Sequence, residues 1–128
     1  MAEMIDHLSV GVSDLEQGRS FYDAVMAPLG YRRVIDKVRS SGYGPDEGKD
    51  DFHIVLVSSK GSRVPGSHVA LAANSRAAVD GFHAAAMDSG GADDGAPGIW
   101  KRYHEDYYAA YVLDPDGNRI EAVCHRPE

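Results

Sequence analysis

The segment Ile5-Asp6-His7-Leu8-Ser9-Val10-Gly11-Val12 decides the fold, because a related segment, Gly66-Ser67-His68-Val69-Ala70-Leu71, follows 61 residues later. After each histidine, bulky apolar residues alternate with small or polar ones, which predicts a half-buried β-strand. The same shift superposes four further pairs, namely Phe21 on Phe82, Ala24 on Ala85, Met26 on Met87 and Gly30 on Gly91. The chain therefore reads as an internal repeat of two similar units.

The composition is that of a soluble globular protein. Its 128 residues suffice for one domain with one core. The net charge of −7 argues against a nucleic-acid partner, and no apolar run approaches the roughly 18 residues of a membrane-spanning helix. Residues 1–6 do not resemble a signal peptide, and the single cysteine, Cys124, cannot form an internal disulfide bond. These features predict a cytoplasmic protein with no nucleic-acid or membrane partner.

Each unit is predicted to have the order βαβββ. In the first unit, residues 4–58, we expect strands over residues 4–12, 31–38, 40–43 and 52–57. Its helix would begin at a capping box in which Ser13 is the cap and Glu16 reaches back. In the second unit, residues 67–125, we expect a helix that begins at Asn74 or Ser75 and ends at Gly90-Gly91, with strands over residues 67–73, 99–102, 107–113 and 118–124.

The remaining segments read as connections. We expect a link between the units at residues 58–66, loops at residues 44–51 and 95–98, and a tight turn at Asp114-Pro115-Asp116-Gly117. The whole chain, residues 1–128, is thus predicted to be one α+β domain. Its two βαβββ units would form curved mixed sheets around a cleft, with the helices on the outside.

The alternation places both histidines on the open faces of their strands. His7 shares its side with Ser9 and Gly11, and His68 shares its side with two alanines, while the bulky residues face the helix. Equivalent positions in two repeated units can bring both imidazoles to one spot, which a metal ion can use. A single strand histidine, by contrast, is more often structural.

Glu121 is the third candidate ligand, because it is a carboxylate flanked by apolar strand residues. Aligning Ile120 with Ile54 of the first unit puts Glu121 opposite Val55, so that one unit offers a carboxylate and the other does not. A buried glutamate needs a partner, which would be a metal ion or one of Arg19, Arg33 and Arg102. Two imidazoles and one carboxylate suit Fe(II), Mn(II) or Zn(II).

The doubled unit resembles the vicinal oxygen chelate superfamily, which includes glyoxalase I, extradiol dioxygenases, fosfomycin resistance proteins, methylmalonyl-CoA epimerase and bleomycin resistance proteins. The resemblance covers almost the whole chain and is carried by residues 5–12, 14–22, 67–71 and 113–121. It implies a glyoxalase-like fold with His7, His68 and Glu121 as ligands of a divalent metal ion. It also implies a homodimer, within which the cleft forms inside one chain or across two.

The resemblance is weaker for the reaction. Glyoxalase I has a further glutamate at the position aligned with Val55, and its absence here counts against true lactoylglutathione lyase activity. The extradiol enzymes of the superfamily are usually longer than 128 residues. Fosfomycin resistance enzymes use a basic phosphonate site for which the sequence shows no clear counterpart.

Three further residues are candidate catalytic groups. His53 shares the strand face of Val55 and could act as an acid, a base or a substitute ligand, or lie in solvent. His104 and Tyr107 belong to an aromatic and charged stretch that could donate hydrogen bonds to an oxyanion, or form a surface loop. Trp100 is a lid or a core residue.

Two functions follow. The first is a small metal-dependent enzyme that chelates two oxygens of a small substrate and stabilises an oxyanion or enolate, as in a lyase, an isomerase or a dioxygenase. The alternative is a metal-free binding protein of the bleomycin resistance type, whose negative charge would attract a small cationic ligand. The His7, His68 and Glu121 set favours the enzyme, because a sequestering pocket does not need it.

Overall fold

The computed structural model describes residues 4–58 and 66–128, so the predicted link at residues 58–66 lies almost entirely outside the described residues. The first unit contains two helical segments and four strands, in the order β1 (Leu8–Val12), α1 (Leu15–Met26), a short 3-10 helix (Ala27–Leu29), β2 (Arg32–Asp36), β3 (Ser40–Gly44) and β4 (Phe52–Leu56). The second unit contains one helix and four strands, in the order β5 (Val69–Ala72), α2 (Arg76–Asp88), β6 (Ala92–Ile99), β7 (Tyr108–Leu113) and β8 (Arg119–Cys124).

The strands form two four-stranded mixed sheets with the same topology. The first sheet has the order β1-β4-β3-β2 and the second has the order β5-β8-β7-β6. In each sheet the edge strand at the start of the unit pairs in parallel with the last strand, and the other pairs are antiparallel. The α+β class and the two βαβββ units predicted from the sequence are confirmed.

Both helices contribute to one hydrophobic core shared by the units. Each helix packs on its own sheet, and the two helices also contact one another. A Cβ atom built on Gly81 of α2 would lie 2.9 Å from Cβ of Pro28, so glycine is what lets the second helix approach the end of the first. The largest buried side chains of this core are Tyr22, Tyr43, Phe21, Phe82, Met26, Ile54 and Ile120.

Polar contacts also join the units. The Tyr22 hydroxyl donates a hydrogen bond to Oδ2 of Asp114 at 2.5 Å. The Asn118 amide donates to the carbonyl of Gly11 at 2.8 Å. Burial raises the pKa of Asp114, although hydrogen bonds from Tyr22 and Asn118 act in the opposite direction. The predicted tight turn that contains Asp114 is present and is closed by a hydrogen bond from the Gly117 amide to the Asp114 carbonyl.

The predicted cap of the first helix is wrong, and the structure decides between the two caps predicted for the second helix. The cap of α1 is Asp14, whose side chain accepts from the Gln17 amide, and the predicted cap Ser13 instead donates its own amide to Asp116. Asp14 takes this role because its carboxylate is a strong acceptor at a helix N-terminus. The cap of α2 is Ser75, which accepts from the Ala78 amide.

The predicted position of the sixth strand is also wrong. Residues 95–98 were expected to be a loop and residues 99–102 a strand, whereas β6 occupies residues 92–99. An edge strand tolerates proline and glycine, and the pairing with β7 shifts register on both sides of Gly95. Gly95 has a φ of 155°, and an added Cβ would lie 2.9 Å from the Tyr111 ring, so the bend brings the strand onto that side chain.

No helix within residues 4–58 or 66–128 has the length and apolar character required to cross a bilayer.

Candidate functional site

Glu121 is the polar centre of the open face of the second sheet. Its neighbours on β8, Ile120 and Ala122, point into the shared core, so the Glu121 side chain points to the opposite face. The residue is 1% exposed. Its Oε1 atom lies 2.9 Å from Nε2 of His68, and its Oε2 atom accepts a hydrogen bond from the Tyr107 hydroxyl. Because both oxygens have donors, the buried carboxylate is satisfied.

The connection between β6 and β7 explains why this face is covered. Residues 100–107 return across the sheet, and the rings of Trp100 and Tyr107 pack on a small apolar cluster formed by Ala109, Tyr111 and Val123. The Trp100 ring meets the Tyr111 ring edge-on, with centroids 5.2 Å apart. A cavity of about 240 Å³ remains between them, lined by His68, Ala70, Trp100, Arg102, Tyr103, Tyr107, Tyr111, Arg119 and Glu121.

The phenols around Glu121 are held in the protonated form. Burial and the neighbouring Glu121 carboxylate raise the pKa of Tyr111 to about 12. Burial and the hydrogen bond to Glu121 raise the pKa of Tyr107 further. Both hydroxyls therefore remain hydrogen-bond donors at neutral pH.

The expected arginine partners of Glu121 are engaged elsewhere. Arg19 pairs with Glu16 and Asp36, and Arg33 pairs with Asp23 and Asp36. Arg102 lines the cavity but donates to the Tyr103 hydroxyl at 2.9 Å, and it makes no ion pair within the described part of the chain. The partners of Glu121 in the structure are thus a histidine and a tyrosine.

His7 and His53 lie together on the open face of the first sheet. Their ring centroids are 5.6 Å apart. Nε2 of His53 donates to Oδ2 of Asp50 at 2.9 Å, and Nδ1 of His7 donates to the neighbouring Asp6 at 2.7 Å. A second cavity of about 260 Å³ is lined by Asp6, His7, Gly48, Asp50, Asp51 and His53.

The strand register corrects the predicted equivalence of Glu121 and Val55. In the second sheet, Ala70 of β5 pairs with Glu121. The equivalent residue of β1, 61 positions earlier, is Ser9, and it pairs with His53. His53 therefore occupies the position that Glu121 occupies in the other unit. The predicted alignment of Ile120 with Ile54 is wrong by two residues. Ile120 pairs with Val69, whose equivalent Leu8 pairs with Phe52.

The single chain brings some predicted site residues together and keeps others apart. His68, Glu121 and Tyr107 form one group, and His7 and His53 form another in a different cavity. Within residues 4–58 and 66–128, no three histidine, cysteine, aspartate or glutamate side chains are grouped so as to hold a metal ion.

His104 lies at the edge of the site. Its ring contacts the Tyr107 ring, and its Nε2 atom lies 2.7 Å from Nδ1 of His125, but it does not line the Glu121 cavity. The sequence reasoning had assigned no site role to Tyr103, Tyr111, Arg119 or Asp50. The alternation of β7 could have placed Tyr111 on the open face, whereas the positions of Tyr103 and Asp50 depend on the paths of connecting segments.

Comparison with known proteins identifies proteins that are similar to this chain. Residues 4–122 match the Glyoxalase/Bleomycin resistance protein/Dioxygenase superfamily. A glyoxalase/bleomycin resistance protein from Albidiferax ferrireducens T118 has 34% identity and a TM-score of 0.84, over 98% of this chain and 100% of that one. No functionally curated protein matches the chain.

Two further solved structures are similar in fold alone. A glyoxalase/bleomycin resistance protein/dioxygenase family enzyme from Burkholderia phytofirmans PsJN has 20% identity and a TM-score of 0.69, over 95% of this chain and 98% of that one. An E144Q mutant of glyoxalase I from Zea mays has 18% identity and a TM-score of 0.72, over 93% of this chain and 46% of that one.

Proposed function

Because the chain belongs to the glyoxalase/bleomycin resistance protein/dioxygenase superfamily, we propose that it is a small metal-dependent enzyme of the vicinal oxygen chelate type. Its substrate would be a small molecule that offers two oxygens to a divalent cation, iron, manganese or zinc, in a lyase, isomerase or dioxygenase reaction. The observation that carries the proposal is the buried Glu121 carboxylate, which faces an aromatic cavity beside His68.

The donor atoms beside Glu121 fit two ligand positions of such a cation. Nε2 of His68 and Oε1 of Glu121 are 2.9 Å apart, and two atoms at that separation can each lie about 2.1 Å from one ion. For His68 to hold a cation through Nε2, its ring proton would have to lie on Nδ1 instead. One chain alone supplies only this pair from the predicted set of three, so the third ligand has to come from elsewhere.

We propose that the third ligand, His7, comes from a second copy of the chain in a homodimer. His7 and His68 directly precede β1 and β5. Both strands are edge strands, and an edge strand is open to pairing with another chain. The His7 side chain is 59% exposed, whereas Glu121 is buried. An exposed imidazole on one copy can therefore reach the cavity of its partner without a change in either core.

The residues of the cavity define what the chain contributes to catalysis. A bound cation would supply Lewis-acid stabilisation of an oxyanion or enolate. Tyr107 fixes the Glu121 carboxylate by donating to Oε2. The rings of Trp100 and Tyr111 line the cavity and give it an apolar wall against which a small substrate can pack. Arg102, which has no acidic partner within the described residues, attracts negative charge on the substrate.

Metal content tests the proposal. Protein purified without chelator or affinity-tag metal is expected to contain iron, manganese or zinc, and His7→Ala and Glu121→Gln are each expected to lose it. Glu105→Gln, at an exposed position of the segment 100–107, is the matched control and should keep the metal. A metal-free parent, or equal metal content in the parent and in both variants, would contradict the proposal.

The alternative, a metal-free binding protein, is favoured by one observation. Glu121 already accepts hydrogen bonds from His68 and Tyr107, so its burial is explained without a cation. The cavity also contains Arg102 and Arg119, which disfavours the small cationic ligand expected from the net charge. A metal-free parent that binds planar anions with Trp100 fluorescence quenching would support this second function.

A further inference from the structure

We infer that Arg102 is a specificity-determining residue of the Glu121 cavity, and that it selects a small monoanionic substrate by binding a carboxylate group. This inference rests on the proposed function, which it deepens by naming the charge and the chemical class of the substrate. Two arginines line the cavity, Arg102 and Arg119, and they differ in what neutralises their charge.

Arg119 already has an acidic partner. Its Nε atom donates to Oδ2 of Asp94 at 2.5 Å, and the Asp94 side chain is only 33% exposed. The Arg119 guanidinium also lies over the Tyr111 ring, with Cζ 5.2 Å from the ring centroid. The pair of Arg119 and Asp94 therefore brings no net positive charge to the cavity.

Arg102 has a positive charge that no acidic side chain of the described residues neutralises. Within residues 4–58 and 66–128 it forms no ion pair, and the hydrogen bond that it makes there runs from one Nη atom to the Tyr103 hydroxyl at 2.9 Å. A guanidinium has five N–H donors in a fixed plane. Most of the Arg102 donors thus have no protein acceptor in this part of the chain.

Aromatic rings restrain the Arg102 guanidinium. Its Cζ atom lies 4.9 Å from the centroid of the Tyr103 ring and 6.0 Å from that of the Trp100 ring. A cation–π contact uses the charge of the guanidinium and does not require its N–H donors. A carboxylate, by contrast, accepts two parallel N–H bonds from the edge of the same group. The rings therefore hold the arginine and leave the carboxylate-binding edge available.

The charges of the cavity favour a monoanion. Apart from His68, whose charge depends on pH, the charged side chains of the lining are Arg102, Arg119 and Glu121. With Arg119 neutralised by Asp94, one free cation remains, in a protein whose net charge is −7. A dianion such as a phosphate monoester would meet repulsion that one guanidinium does not offset. A carboxylate matches both the single charge and the planar fork.

The volume of the cavity limits the substrate to a compact molecule. The cavity measures about 240 Å³, which is below the range of about 300 to 1,000 Å³ that is typical for drug-sized ligands. Trp100 and Tyr111, whose rings meet edge-on, give it an apolar wall. A small organic acid, with an apolar skeleton against these rings and its carboxylate on Arg102, fits this lining.

Benzoate and its neutral isostere benzamide test the role of Arg102. Trp100 is the single tryptophan of the chain and lines the cavity, so its fluorescence reports binding there. In the chelator-treated full-length protein, benzoate is expected to bind at least about 10-fold more tightly than benzamide. Arg102→Gln should remove this preference. Arg102→Lys should keep only part of it, because lysine has the charge without the planar fork.

Lys101→Gln is the matched control. Lys101 is exposed, adjoins Arg102 in the chain and is not part of the cavity lining, so this variant loses the same charge and should keep the preference. Phenyl phosphate, a dianion near pH 8, should bind less tightly than benzoate. Isothermal titration calorimetry measures the same affinities independently of Trp100, and circular dichroism confirms that each variant is folded.

The outcomes separate this inference from the proposed function. No benzoate binding in the parent, equal affinity for benzoate and benzamide, or a preference that survives in Arg102→Gln would overturn the role of Arg102 and leave the metal test unaffected. An equal loss in Lys101→Gln would also overturn it, and tighter binding of phenyl phosphate would overturn the choice of a carboxylate. A metal-free parent with an Arg102-dependent preference would support Arg102 as the anion site and overturn the metal-dependent enzyme.

Discussion

The two units share one topology, yet within residues 4–58 and 66–128 the open face is covered more fully in the second unit. The connection between the second and third strands of the first unit is a tight turn over residues 37–39, whereas the equivalent connection in the second unit spans residues 100–107. The longer segment returns Trp100 and Tyr107 over the sheet and buries Glu121. The shorter one leaves His7 exposed and His53 half-buried. A repeated backbone thus yields one enclosing face and one exposed face.

The difference explains how a duplicated fold can build a single site from unlike halves. A cleft closed on one side needs a second surface. The first sheet provides a chemically suitable one in the exposed imidazole of His7 and the half-buried imidazole of His53. Each unit would supply what the other lacks, if two copies pack with the unlike faces together.

The largest expected effect concerns Gly44, the last residue of β3. Its equivalent in the second unit is Leu113, the last residue of β7, because Gly42 lies opposite His53 as Tyr111 lies opposite Glu121. A Cβ atom on Gly44 would lie 1.5 Å from the Lys49 carbonyl oxygen, so Gly44→Ala must displace the backbone. We expect a loss of at least about 3 kcal/mol of unfolding free energy. Leu113→Ala, at a half-buried position, should cost about 1 to 2 kcal/mol. Urea unfolding measures both, and the reverse order would contradict the packing described for the first sheet.

The next largest effect concerns residues 100–107, which cover the open face of the second sheet. Tyr107→Phe removes the donor to Oε2 of the buried Glu121 and should lower the unfolding free energy by about 2 kcal/mol. Tyr103 is exposed and its hydroxyl accepts from Arg102, so Tyr103→Phe should change the unfolding free energy by less than about 0.5 kcal/mol. Similar values for the two variants would show that residues 100–107 do not stabilise the buried carboxylate.

Both units are expected to lose stability in alkali through phenols whose pKa is raised in the folded protein. Burial raises the pKa of Tyr43 in the first unit and of Tyr107 in the second. In the unfolded chain these groups ionise near pH 10, while the folded protein still holds their protons, so the unfolding free energy falls as pH rises above about 10. Tyr43→Phe and Tyr107→Phe should each make that fall shallower. Urea unfolding between about pH 8 and pH 11 measures the slope, and an unchanged slope in both variants would contradict the assignment.

The smallest effect tests the symmetry of the helix ends. Gly30 and Gly90 follow their helices with φ values of 85° and 92°, and no atom crowds an added Cβ at either position. Gly30→Ala and Gly90→Ala should therefore each cost about 1 kcal/mol through backbone strain alone. Thermal unfolding of the two variants measures this cost. A much larger value for one of them would reveal a contact that the other helix end lacks.

The sequence predicted the elements whose signals are local. The alternation after His7 and His68 located both edge strands, and the spacing of apolar residues located both helices. The predicted end of the second helix, at Gly90-Gly91, was nearly correct. The left-handed residue is Gly90, although the 61-residue shift aligns Gly91 with the left-handed Gly30. That shift fails there because α1 is extended by a 3-10 turn and α2 is not.

The parts that could not be predicted depend on nonlocal pairing. β6 contains Gly95, Pro97 and Gly98, which read as a loop, and only its pairing with β7 makes it a strand. The equivalence of Glu121 with His53 follows from strand register, and the apolar landmarks Ile54 and Ile120 indicate a different alignment. The cover by Trp100 depends on the path of a whole segment, which no local pattern specifies.

Mixed dimers test most directly whether the cation centre is shared between two copies. His7→Ala chains and Glu121→Gln chains are refolded separately and together, and metal content is measured after dialysis. Each variant alone should be empty. A shared centre predicts that the mixture recovers roughly a quarter of the parental metal, because about half of randomly paired dimers are mixed and each mixed dimer has one intact site of two. A mixture as empty as the separate variants, while the parent is loaded, would contradict a centre built from two chains.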